Sequence, residues 1–140
     1  MRGKFHCRGC GRALSGEVIV QSLKDPGVQT PDFIDQRPVC AEGSGFKSYE
    51  PLQRSHDPSN PAALEFVPQY WLNPADFEAT GKVTSKRGRT NGCCGMDGCD
   101  GPNIECRECG TEIGTKQSDC WTPLIFVPDP DNTEFRKTAT

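Results

Sequence analysis

The chain has 140 residues and a net charge of −3, from 16 Lys and Arg against 19 Asp and Glu. That balance argues against a polybasic nucleic-acid binder and a strongly charged disordered segment. Leu, Ile, Val and Phe number 25 of the 140, about 18% and so below the roughly 20% at which core burial alone sustains a fold; the 9 cysteines point to what supplies the rest.

From the N-terminus, Met1-Arg2-Gly3-Lys4-Phe5 leads directly into Cys7-Arg8-Gly9-Cys10 with no apolar stretch of a secretion signal. No window approaches the length of a membrane span either, so the expected location is the cytoplasm. Glu17 to Leu23 is short and β-branched and predicts a strand, followed by a turn at Asp25-Pro26-Gly27. Short strands are expected around Phe33-Ile34 and from Phe46 to Tyr49, separated by the Gly43-Ser44-Gly45 loop. Pro51 to Pro61 reads as a surface loop. Leu64 to Val67 and Tyr70-Trp71-Leu72 are the next strand candidates, with Pro68 placing the first at a sheet edge. Asn73-Pro74-Ala75-Asp76-Phe77-Glu78-Ala79-Thr80-Gly81 carries the punctuation of one short helix: Asn at the N-cap, Pro at the first position, Gly as the stop. Thr122 to Val127 predicts the final strand. The expectation is a mainly β, antiparallel, metal-stapled domain over residues 1–128, with residues 129–140 as a flexible C-terminal tail.

Phe5-His6-Cys7-Arg8-Gly9-Cys10-Gly11 returns as Ile104-Glu105-Cys106-Arg107-Glu108-Cys109-Gly110. In both copies an aliphatic residue, Leu14 or Ile113, follows four positions after the second cysteine. Each Cys-x-x-Cys turn offers two thiolates to one side of a tetrahedral ion, and the glycine lets the chain leave the turn with positive φ. Two such knuckles complete the four-sulfur set of a zinc-ribbon type centre: Cys7, Cys10, Cys106 and Cys109, with Zn2+ as the expected ion. Arg8 and Arg107 are expected to screen the charge of the thiolates.

Two widely spaced knuckles, with Gly114 and Trp121 after the second, resemble the β-tent superfamily, which includes the yippee proteins, the thalidomide-binding domain of cereblon and methionine sulfoxide reductase B. The segments from Gly92 to Gly98 and from Cys120 to Pro123 also resemble an uncharacterised family of small bacterial proteins. The resemblance implies two antiparallel sheets meeting at a structural zinc. It implies as well a ligand site built from aromatic residues, for which Tyr70, Trp71 and Trp121 are the candidates here, although Thr115 stands where the cereblon-like members carry a tryptophan. The reductase likeness implies a late-strand nucleophile, and Cys120 occupies that place.

The remaining cysteines are Cys40, Cys93, Cys94, Cys99 and Cys120. Cys40, Cys94, Cys99 and Cys120 are the candidate ligands of a second ion, with Cys93 spare because adjacent cysteines strain a shared tetrahedral site; inert buried thiols are the simpler reading. His6 is expected to hydrogen-bond beside its knuckle. Ser55-His56-Asp57 is a surface run and not a triad, since triads are assembled in space. Lys82, Lys86, Arg87 and Arg89 form the densest basic stretch; without interleaved aromatics it reads as a solvated loop, which argues against nucleic acid. The functional expectation is a binding or regulatory module for a small molecule or peptide, with a thiol oxidoreductase using Cys120 as the alternative and a nucleic-acid contact through the Lys82 to Arg89 loop as a less favoured third.

Overall fold

In the computed structural model, residues 1–138 of the chain are described. Nine strands form one curled, mixed sheet: β1 (Arg2–Cys7), β2 (Val18–Ser22), β3 (Ser44–Ser48), β4 (Gln69–Leu72), β5 (Gly81–Val83), β6 (Ile104–Cys106), β7 (Glu112–Gln117), β8 (Ile125–Pro128) and β9 (Thr133–Lys137). Their spatial order is β5-β6-β7-β8-β4-β3-β2-β1-β9. All pairings are antiparallel except β2 with β3, which run parallel. The hydrogen-bonded order is continuous, in place of two separate sheets, but β4 and β8 meet through one residue pair, Leu72 and Phe126.

Side-chain alternation divides the apolar residues between the two faces. Val18 and Val20 on β2 are buried while Ile19 is exposed. On β8, Phe126 faces inside the curl with Phe5, Leu14, Leu72, Phe77, Ile104 and Ile113. Ile125 and Val127 face the other way and pack with Val39, Leu64 and Trp71. The inner cluster takes residues from both ends of the sheet, so the curl has a core to close upon. Phe5 anchors it through edge contacts to Tyr70 at 5.1 Å and Phe77 at 5.9 Å.

Several expected elements are corrected. The helix after Asn73 is a single 3₁₀ turn, Pro74–Phe77; Asn73 does cap it, accepting from the Ala75 N–H, but Gly81 opens β5 instead of ending a helix. It does so because the backbone there closes onto the Ile104 side chain and leaves no room for a β-carbon. Phe33 and Ile34 form no strand and are exposed. Leu64 to Val67 is irregular: Leu64 is a buried plug held by Gln69, whose amide is itself buried and donates to the Leu64 and Phe66 carbonyls. Ser44 and Gly45, expected in a loop, start β3.

The largest correction concerns the C-terminus. Residues 133–137 are not a tail but β9, paired with β1 from Gly3–Lys137 to Cys7–Thr133, with the Phe135 ring 4.9 Å from Phe5. Asp129 builds the preceding turn by accepting from the Asp131 and Asn132 N–H groups. Ala139 and Thr140, the remainder of the expected tail, lie outside the described residues.

Candidate metal centre

β1 and β6 each run into a knuckle, and the two knuckles are built alike. In the first, the Cys7 N–H donates to the Arg12 carbonyl and the Gly11 N–H to the Cys7 carbonyl; in the second, Cys106 donates to Thr111 and Gly110 to Cys106. Gly11 and Gly110 have φ of 79° and 75°, the left-handed conformation that glycine adopts without steric cost. Leu14 and Ile113, the aliphatic residues that follow, are both fully buried. The sequence repeat is thus a structural repeat, with its apolar residues pinning each knuckle to the inner core.

Curling of the sheet brings the knuckles face to face. Cys7 Sγ lies 3.6 Å from Cys109 Sγ, and Cys10 Sγ 3.8 Å from Cys106 Sγ; all four sulfurs are within 4.8 Å of one another. The first cysteine of each knuckle is buried and the second exposed, and each first cysteine meets the other knuckle's second, as a local twofold arrangement requires. A tetrahedral ion with metal–sulfur bonds of about 2.3 Å needs sulfurs about 3.8 Å apart, whereas a disulfide needs about 2.05 Å. The donor set therefore fits a four-coordinate metal ion.

The surroundings support the same chemistry. The Thr111 hydroxyl, 3.0 Å from Cys109 Sγ, followed by its backbone N–H, holds the Cys109 thiol down at about 6. The Arg12 N–H favours the Cys10 thiolate, but desolvation and the adjoining Cys109, Cys106 and Cys7 push that thiol up to about 11. Four thiolates at such separations repel one another, and a bound cation is what allows them all to ionise. Arg8 and Arg107 do not reach the sulfurs as expected: Arg8 donates to the Thr133 carbonyl and Arg107 to that of Glu78, which ties each knuckle to a neighbouring segment. Across the cleft, Arg12 and Glu108 form an ion pair at 3.2 Å. His6 lies beside its knuckle as expected, its Nδ1 3.2 Å from the Gly11 carbonyl oxygen.

No family model, curated protein or solved structure matches the chain. The site itself must carry the functional reading.

The other candidate residues scatter. Cys94 and Cys120 come together as a disulfide, with Cα atoms 5.6 Å apart, so Cys120 is not a free nucleophile in this state. Cys40 and Cys99 do not join them. Cys40 lies by the outer cluster, its thiol directed at the Ser44 carbonyl and pushed up to about 11 by burial. Cys99 is exposed in its own turn, where partial burial and then Asp97 and Asp100 raise its thiol. The third sulfur beside the disulfide belongs to Cys93.

Tyr70, Trp71 and Trp121 do not form one surface. Tyr70 packs on the inner cluster against Phe5 and Phe135. Trp71, its neighbour on β4, points to the opposite face, buried, with its indole N–H donated to Gln69 at 2.7 Å. Trp121 is 81% exposed. In the basic stretch, Lys86 and Arg89 both pair with Glu112, which folds part of that loop back onto β7. His56 is exposed, and Ser55 caps its own loop through the Asp57 and Asn60 carbonyls.

Two features escaped the sequence reading. Asp119 is a buried hub whose carboxylate accepts from the backbone N–H groups of Cys93, Cys94 and Cys120. The donors of Cys94 and Cys120 above all hold it below the usual carboxylate range. A depression of about 200 Å³ also lies beside the second knuckle, with Phe77, Ile104 and Phe126 as its floor and Lys82, Arg107 and Lys116 around it. Its residues come from five separate elements, so no local motif marks it.

Proposed function

We propose that the four-sulfur centre holds Zn2+ as a structural ion, and that the chain is a zinc-stapled β module that binds a partner instead of transforming it. The observation that carries this is the pair of cross-knuckle sulfur contacts, 3.6 and 3.8 Å. A d¹⁰ ion with no geometric preference of its own suits a site defined by four converging thiolates. Such a shell is closed: no coordination position remains for water or substrate, so the ion's contribution is to join the two ends of the sheet. Likeness to the β-tent superfamily belongs to this proposal, since both rest on paired knuckles set in a mainly β scaffold. So does a reducing, cytoplasmic location, supported by seven unpaired cysteines; no helix among the described residues is long and apolar enough to cross a membrane.

The ligand surface we favour is the depression beside the second knuckle. An apolar floor ringed by Lys82, Arg107 and Lys116, with Glu78 as the one acid, suits a small amphipathic anion. The aromatic trio offers no common cage: Tyr70 and Trp71 lie on opposite faces of β4, and Trp121 is exposed in a turn.

Metal analysis tests the core of this reading. Purified protein is expected to contain one zinc per chain, and Cys7→Ser to lose both the ion and the fold. Full zinc and unchanged melting in the variant would refute it. Titration with aromatic and aliphatic carboxylates, followed by amide shifts of Lys82, Arg107 and Lys116, tests the ligand surface; no shifts at those positions would remove it.

A second reading is favoured by the Cys94–Cys120 disulfide. In a methionine sulfoxide reductase B-type cycle the two sulfurs would be the oxidised resting pair. Turnover of methionine sulfoxide with a dithiol reductant, lost in Cys120→Ser, is its expected outcome; absence of turnover eliminates it.

A further inference from the structure

Away from the clamp, three sulfurs converge at one place: Cys93, Cys94 and Cys120 lie within 4.8 Å of one another. Two of them are joined as a disulfide and the third is an exposed free thiol. What holds them together is not the disulfide alone. The Asp119 carboxylate accepts from the backbone N–H of Cys93 at 3.1 Å, of Cys94 at 2.9 Å and of Cys120 at 2.8 Å. The loop is fixed to the same strand end twice more, by the Ser118 N–H to the Met96 carbonyl and by the Met96 N–H to the Ser118 hydroxyl. Asn91 and Asp97 close its base through a 2.7 Å backbone hydrogen bond. None of these hydrogen bonds uses a sulfur atom, so they position the three cysteines independently of the sulfur–sulfur bond.

We propose that the reduced cluster of Cys93, Cys94 and Cys120 is a three-thiolate site for a trivalent thiophilic ion of the arsenite class. Thiolates select soft ions, and three of them without a fourth partner match an ion that makes three bonds and keeps a lone pair. Charge decides between the candidates. Three thiolates around a monovalent or divalent cation leave net negative charge beside the Asp119 carboxylate. Three thiols condensing with arsenous acid form three arsenic–sulfur bonds and release three waters, which leaves the site neutral. The disulfide then acts as a gate: the oxidised pair offers no thiols, and a phosphine or dithiol reductant opens it. With a phosphine, the disulfide takes two electrons and two protons to become two thiols, while phosphine and water become phosphine oxide. The adjacent Cys93 and Cys94, poorly suited to one tetrahedral ion, are here two of three donors whose backbone is set by Asp119.

The experiment uses the full chain with its clamp loaded. Protein reduced with a phosphine and desalted is mixed with sodium arsenite, and arsenic and zinc per chain are measured together. One arsenic per chain with zinc unchanged is expected, and none in the unreduced protein. Cys93→Ser keeps the disulfide and the loop's hydrogen bonds and is expected to bind arsenic on the order of 100-fold more weakly, having lost one point of a three-point chelate; Cys40→Ser and Cys99→Ser are expected to bind as the parent does. Equal uptake by Cys93→Ser, uptake without reduction, or arsenic gained only as zinc is lost would each overturn the proposal. The zinc count reports separately on the clamp, so failure at one site is not mistaken for failure at the other.

Discussion

Gly9 of the first knuckle lies against Thr111 of the second, so closely that a β-carbon at position 9 would overlap the Thr111 hydroxyl and press on Cys109 Sγ. The two turns approach backbone to side chain because nothing projects from Gly9, while Glu108, its counterpart in the second knuckle, points outward to Arg12. Gly9→Ala is therefore expected to cost about 1–3 kcal/mol, as overpacking does, and to weaken metal retention against a chelator. Glu108→Ala, which removes only an exposed ion pair, is expected to stay within about 0.5 kcal/mol of the parent. Denaturant unfolding with a colorimetric chelator present measures both.

Phe135→Ala tests whether β9 is part of the fold. Its ring packs on Phe5 and Tyr70 but is only partly buried. The expected loss is about 2 kcal/mol, below the roughly 3–5 of a fully buried phenylalanine. Thermal melting reads it, and no change would mean that the terminal strand is dispensable.

Gln69→Ala removes a buried amide whose oxygen accepts from the Leu52 N–H and the Trp71 indole and whose nitrogen donates to Leu64 and Phe66. Several buried partners are left unpaired at once, and a loss of about 2–3 kcal/mol is expected. Because the indole loses its acceptor, the near-ultraviolet circular dichroism of Trp71 should weaken even where the variant remains folded.

The Asp119 hub sets a pH dependence for the Cys93–Cys94 loop. Its carboxyl is held below the usual range by backbone donors, so its contribution is complete above about pH 4, the ordinary carboxyl value. It is lost as pH falls through the depressed folded value. Hydrogen exchange at Cys93, Cys94 and Cys120 should therefore stay slow through pH 4 and quicken only below it. In Asp119→Asn these amides should exchange fast already at neutral pH, with no such step.

The sequence alone determined which four cysteines converge at the clamp, because a knuckle is local: six residues with a glycine at a fixed offset specify the turn, and its repetition names the partner. It also determined the strands whose alternation is clean, such as Val18–Ser22, and the Asn73 cap. It read the C-terminal residues wrongly. Residues 133–137 look polar and frayed in isolation, and they become a strand only because β1 offers an edge and Phe5 offers a surface for Phe135. Leu64 was read as a strand residue because an apolar run looks the same whether its backbone bonds to a neighbouring strand or to a glutamine side chain a few residues further on.

Only the tertiary structure decided which of the other five cysteines meet. Spacing suggested Cys40 and Cys99 as companions of Cys94 and Cys120, yet the folded chain supplies Cys93, because the Asp119 carboxylate gathers backbone donors from both sides of the loop. The separation of Tyr70 from Trp71 likewise follows from the two-residue period of β4, which sends neighbours to opposite faces. A Cys-x-x-Cys knuckle is written in contiguous residues. A cluster or a cavity is written in the curl of the sheet, and that depends on contacts between residues far apart in the chain.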